Sequence, residues 1–174
     1  MVVRNQLLTA VPIAVGLAVF AARTVGFASD VRTVAINDQC DPESFNAVIG
    51  PGTCVNNGGV SFDTFITELT NSQHAGAWSF APGEVSLRDG QAVQAQNYGG
   101  EVHTFTEVDE FGGGIVPPLN LLSGNPVPAP ECLQLGGGDF IPPGGHSAPD
   151  LEEPGVHHYQ CCIHPWMRAD VIVR

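Results

Sequence analysis

Apolar residues recur along this chain in short alternating runs, each closed by Gly, Pro, Asn or Asp. Val31, Val34 and Ile36 predict a first strand over 31–38. Residues 77–82 and 84–87 read as two more strands, with Arg88-Asp89-Gly90 as the turn behind them. Over 91–96, Val93 and Ala95 fall on one face and Gln94 and Gln96 on the other, the two-residue period of a half-buried strand. Asn97-Tyr98-Gly99-Gly100 turns the chain again, and 101–108 predicts a strand with His103 inside it. Two last strands are expected over 156–161 and 169–173. One stretch departs from this period: Phe62, Phe65, Ile66 and Leu69 repeat at helical spacing between Ser61 and Thr70. A short helix capped by Ser61 is expected there, its Phe side chains serving packing alone. Strands at intervals of about ten residues, closed by turns, predict an all-β antiparallel sandwich or barrel.

Two segments stand outside that pattern. Residues 109–150 carry Gly112-Gly113-Gly114, Pro117-Pro118, Gly136-Gly137-Gly138 and Pro142-Pro143-Gly144-Gly145. They are expected to form a long irregular loop, and such a loop in a compact domain is either functional or pinned; Cys132 is the candidate pin. At the start, Arg4 precedes a nearly continuous apolar run, Leu7 to Ala22, and Gly26-Phe27-Ala28 offers small residues at a cleavage point. This is the plan of a secretory signal over 1–28, with one domain over 29–174. The rival is an uncleaved anchor, but the run is interrupted by Pro12 and is shorter than the roughly 20 residues that span a bilayer.

Composition narrows the picture. With 21 Gly and 14 Pro among 174 residues, a helical bundle is excluded. The 18 acidic residues all follow Ala28, and only four Arg do, so residues 29–174 carry a formal charge of −14; there is no Lys. Clustered cations, which nucleic acid and anionic membrane surfaces require, are missing. Neither is expected as a partner, and the mature chain has no segment for membrane insertion. The acidic excess serves solubility or steers a cationic partner.

The chemistry is concentrated in the last fourteen residues. Cys161, His164 and Met167 follow one another at three-residue intervals, just ahead of the β-branched run Val171-Ile172-Val173. A thiolate, an imidazole and a thioether make a soft metal site, and copper suits Cys with two His and a weak axial Met. The second His must come from elsewhere. The odd count of five Cys fits: with Cys161 kept for metal, four remain. Cys40 and Cys54 close a short loop, which leaves Cys132 with Cys162, although four Cys allow three pairings. A bridge between the neighbours Cys161 and Cys162 would abolish the site and requires a strained ring.

The stretch Gly155-Val156-His157-His158-Tyr159-Gln160-Cys161-Cys162-Ile163-His164-Pro165-Trp166-Met167-Arg168 resembles the C-terminal metal loop of cupredoxins, the type 1 blue-copper family, most closely amicyanin and pseudoazurin, with plastocyanin beside them. Phe80-Ala81-Pro82, Val85 to Leu87, Asp89-Gly90 and Asn97 ahead of His103 are similar to the run that leads to the first His of that family. The resemblance covers about 78–174 and leaves 30–77 and the long loop unexplained. It implies a Greek-key β-sandwich in which His103, Cys161, His164 and Met167 hold one copper ion cycling between Cu(I) and Cu(II). It implies an exported one-electron carrier, periplasmic or extracellular, monomeric and not an enzyme; the alternative is a copper carrier or sink with the same ligands and no redox partner. Redox partner proteins would dock near Trp166, with Pro165 and Ile163 around it, unless Trp166 packs beneath the loop. His74, His146, His157 and His158 are given no ligand role. Two positions depart from the family: Thr104 stands where many relatives place an Asn that tethers the two ligand loops, and Cys162 adjoins the thiolate. A second bound sulfur there would favour zinc or cuprous copper.

Overall fold

Strand β8 (Arg168–Val173) buries Ala169, Val171 and Val173 and turns Arg168, Asp170 and Ile172 the other way, and this alternation is repeated through two facing sheets. The computed structural model describes residues 30–56 and 58–174. The expected signal, residues 1–28, lies outside the described residues. Among the described residues no helix is long and apolar enough to cross a membrane.

In chain order the elements are β1 (Val31–Asn37), α1 (Pro42–Val48), α2 (Phe62–Ser72), β2 (Ser79–Ala81), β3 (Glu84–Leu87), β4 (Ala92–Asn97), β5 (Thr106–Val108), α3 (Pro117–Leu122), β6 (Asp150–Leu151), β7 (Gly155–Gln160) and β8. One sheet runs β2-β1-β4-β6 and the other β3-β8-β7-β5. Val34, Ile36, Val93 and Ala95 of the first meet Leu87, Tyr159, Val171 and Val173 of the second in a single core. The predicted β-sandwich is present.

Its pairing differs from the antiparallel expectation. β1 lies parallel to β4, with Val34 opposite Ala95, and β3 lies parallel to β8, with Val85 opposite Val171. Alternation reports which face of a strand is buried and is blind to the direction of its neighbour. Parallel pairing needs a long crossover, and residues 38–91 supply one between β1 and β4.

Among the described residues three α-helices form where one was expected. α2 matches the predicted helix: Ser61 accepts the Thr64 amide, Gln73 closes it at φ 58°, and Phe65 and Leu69 are buried. α1 begins at Asp41, whose carboxylate accepts from the amides of Glu43 and Ser44, with Pro42 in the first turn. α3 likewise opens on Pro117-Pro118. Pro117-Pro118 had been placed in the irregular loop, but a Pro pair, like Asp41-Pro42, initiates a helix as readily as it ends a strand. Phe45 of α1 stacks on Trp78 at 5.6 Å between ring centroids, and Phe65 of α2 approaches the same ring at 4.5 Å. The two helices are thereby fastened to one end of the sandwich, the end that carries His164 and Trp166.

The long loop is pinned, as expected. Cys132 is bonded to Cys162, and together with Val108 and Ala129 they make a second small core. The loop also approaches very closely elsewhere: the Ile115 amide donates to the Cys162 carbonyl at 2.7 Å, and a Cβ on Gly114 would occupy the place of that carbonyl oxygen.

Candidate metal centre

The strand expected over 101–108 is confined to Thr106–Val108, so His103 is not in a strand. Asn97 prevents a regular continuation: its side-chain amide donates to the Glu101 carbonyl at 2.8 Å and the Ile141 carbonyl at 2.9 Å, while its side-chain oxygen accepts from Gly99. The chain is drawn into a tight loop, and His103 forms an isolated two-bond bridge with Ile141 of the long loop. That position brings its ring into the core, fully buried.

β7 delivers Cys161 directly beyond its last residue, and the turn back into β8 is short. The Cys161 amide donates to the Met167 carbonyl at 3.0 Å and the Met167 amide to the His164 carbonyl at 2.9 Å, so the loop closes on itself. Pro165 fits this tight turn, and Arg168 clamps its outside. The Arg168 guanidinium donates to the Pro165 carbonyl at 2.9 Å and to the Asn125 side chain at 2.7 Å, and lies over the Phe111 ring.

The result is a convergence of donors. Cys161 Sγ lies 3.7 Å from Nδ1 of His103 and 3.8 Å from Nδ1 of His164. All three residues are buried, and one ligand atom from each lies within 4.8 Å of the others. Nitrogen and sulfur bonds of about 2.1 and 2.3 Å to one ion, opened to about 120°, span that same separation. The donors therefore fit a metal. Met167, the fourth predicted residue, is also buried in this loop, at 1 % exposure. The amides of Thr104 and His164 both point to the sulfur at 3.5 Å. Cys161 is the free cysteine; Cys40–Cys54 and Cys132–Cys162 are bonded, so the sulfur of Cys162 is not available as a second thiolate.

Thr104 joins the two loops that carry the donors. Its Oγ1 accepts the Cys162 amide at 2.8 Å, joining the loop of His103 to that of Cys161 and His164. Trp166 packs beneath the loop: it is 8 % exposed, with its ring 5.8 Å from Phe65 and 5.4 Å from His164. Beside His164, α1, α2 and α3 enclose an apolar hollow of about 320 Å³ lined by Phe62, Phe65, Leu119 and Ile163. His157 and His158 lie away from the centre, paired with Glu107 and Asp170, and His146 contacts Gln94.

Two carboxylates of the centre were not foreseen. Asp38 pairs with Nε2 of His103 at 2.9 Å, both side chains fully buried, and Oε2 of Glu101 lies 3.6 Å from Nε2 of His164. Burial pushes the Asp38 carboxyl up, but bonds from His103 and from the amides of Glu101 and Gly100 outweigh it and hold it at about 2. Burial likewise depresses His103, and the bonds to Asp38 and Cys161 reverse this and bring it to about 9. The Cys161 thiol, opposed by its own burial, is drawn well below the ordinary range by the two imidazoles. A centre that holds a thiolate in a dry interior is prepared for a cation. For Asp38 the one local signal is Gly99, where a Cβ would fall inside the carboxylate; Glu101 had none.

No family model and no curated protein matches this chain. Solved structures to which it is similar include cupredoxins. A purple cupredoxin from Nitrosopumilus maritimus aligns at 17% identity over 82% of this chain and 98% of that one, with a TM-score of 0.45. Plastocyanin from Dryopteris crassirhizoma aligns at 14% identity over 82% and 100%, with a TM-score of 0.40. Amicyanin from Paracoccus versutus aligns at 20% identity over 55% and 73%, with a TM-score of 0.36. What this chain can do is decided by its own donor set.

Proposed function

We propose that this protein is an exported, monomeric type 1 copper protein of the cupredoxin kind, with that family's Greek-key connectivity, and that it carries one electron at a time. The observation that carries the reading is the buried triad in which the free thiol of Cys161 sits between the Nδ1 atoms of His103 and His164. Copper bound there would supply a one-electron couple, held by His103, Cys161 and His164 with the thioether of Met167 as a weaker donor. The single thiolate and two imidazoles separate copper from zinc, whose structural sites favour more sulfur and four equal ligands.

The chain's own contribution is rigidity. Thr104 ties the two ligand loops, the Cys132–Cys162 bond ties the Cys161 loop to the long loop, and Arg168 clamps the turn. Donors held this firmly move little between oxidation states, so reorganisation is small and transfer is fast. Electrons would enter or leave on the side of His164, next to Trp166, where Ile163 and the apolar hollow offer a redox partner its contact.

The test is to add cupric ion to the folded chain and record its visible and paramagnetic spectra. An intense thiolate-to-copper band is expected, lost in Cys161→Ser and kept when Cys132 and Cys162 are both replaced by Ser. A spectrum unchanged by Cys161→Ser refutes the assignment. Slow, irreversible voltammetry of the copper form refutes the role as an electron carrier while leaving copper binding intact.

A further inference from the structure

Asp38 is enclosed by donors. Its Oδ1 accepts the amides of Cys40 at 3.2 Å and Gly100 at 2.9 Å, and its Oδ2 accepts the amide of Glu101 at 3.0 Å and meets Nε2 of His103 at 2.9 Å. With both oxygens already accepting backbone bonds, the His103 contact requires Nε2 to carry the proton. Nδ1 is then the nitrogen that a cation would take, and it faces Cys161 Sγ. The cradle is built for this carboxylate: Gly99 leaves it room, and the Cys40–Cys54 bond holds the adjacent backbone. Glu101 stands behind the other imidazole. It is 6 % exposed, accepts Trp78 Nε1 at 2.6 Å on Oε2, and keeps that oxygen 3.6 Å from Nε2 of His164. Each imidazole that faces the thiolate thus has a buried carboxylate on its far side.

We infer that Asp38 is a positioning residue that locks the His103 imidazole with Nδ1 inward, and that its charge, together with that of Glu101 behind His164, biases a bound copper ion toward its cupric state. The inference rests on the copper reading above. A carboxylate behind an imidazole fixes its tautomer and raises its basicity as a ligand. Buried negative charge also acts across a medium of low dielectric, so it stabilises the doubly charged ion more than the singly charged one.

The experiment compares cupric and cuprous affinities, each measured by competition with chelators of known strength, in the full chain, in Asp38→Asn and in Glu101→Gln. In Asp38→Asn the remaining oxygen can serve the Cys40 and Gly100 amides. The new NH2 then confronts two donors, the Glu101 amide and His103 Nε2. Cupric affinity is expected to fall about 10–100-fold, the usual cost of removing a partner behind a metal-bound His. Cuprous affinity is expected to fall less, and each tenfold change in their ratio appears as a rise of about 59 mV in the one-electron potential. Glu101→Gln removes charge while leaving an oxygen for Trp78, and it is expected to move the ratio the same way by a smaller factor. It keeps the question answerable if Asp38→Asn does not fold. Parallel falls in both affinities, with their ratio unchanged in Glu101→Gln and in any folded Asp38→Asn, overturn the inference and reduce both carboxylates to structural support. If the unaltered chain binds no copper, the copper reading itself fails and takes this inference with it.

Discussion

The tether between the two ligand loops is a single side-chain bond, and its strength can be worked from the structure. Thr104 is fully buried, and its Oγ1 accepts the Cys162 amide at 2.8 Å while also accepting the Thr106 hydroxyl at 3.1 Å. Thr104→Val keeps the shape and removes the acceptor. The Cys162 amide is then left in the core, and a stranded buried donor costs about 1–3 kcal/mol. The added methyl returns less than about 1 kcal/mol through burial, and Thr106, only partly buried, can turn to water. The net expectation is a loss of about 1–2 kcal/mol, which in a domain of this size lowers Tm by about 2–4 °C per kcal/mol. The assay is denaturant unfolding of the metal-free chain, with Thr104→Ser as the control that keeps the hydroxyl. Because the Thr104 amide also points at Cys161 Sγ, the valine variant should in addition shift the thiolate band of the copper form, and the serine variant should not. A valine variant with wild-type stability and an unshifted band would refute the reasoning.

Replacing both Cys132 and Cys162 by Ala opens a loop of 30 residues, for which loop-closure entropy predicts a loss of about 3.5 kcal/mol. Unfolding curves should show it. His157 Nδ1 donates to Glu107, its Nε2 lies against the Glu153 carbonyl, and Glu152 is close by; although burial opposes it, these groups raise its pKa above 6.5. Its contribution to stability is therefore complete below about pH 6.5 and is lost as pH rises through the raised value. His157→Gln should flatten that decline in a pH series of melting temperatures. A series parallel to wild type would show that the pair contributes nothing.

The parts of the site that are close in sequence were legible there. Cys161, His164 and Met167 stand within one turn of chain, and their side-chain chemistry alone specifies a soft metal. The odd cysteine count left Cys161 for metal, while the pairing of the other four rested on the short loop between Cys40 and Cys54 and stayed one of three choices; α2 followed from the spacing of Phe62, Phe65, Ile66 and Leu69. His103 was found by resemblance, but the strand drawn around it was wrong, because Asn97 and Ile141 shape that loop through bonds across about forty residues. A separation of 65 residues hid Asp38 from His103, and a similar one hid Glu101 from His164. Trp166 shows the remaining ambiguity: an aromatic next to a ligand is written identically whether it faces solvent or packs under Phe65.

By itself the sequence determined composition-level and local matters: a turn-rich β protein, strongly acidic, with a single unpaired thiol next to an imidazole and a thioether. Alternation, helical spacing, turn residues and cysteine count are properties of neighbouring positions, so they survive without a fold. The tertiary structure decided which strands lie parallel, that three helices fence the His164 end, and which carboxylate stands behind which imidazole. Those contacts join residues far apart in the chain and depend on how the two sheets and the long loop close around one another.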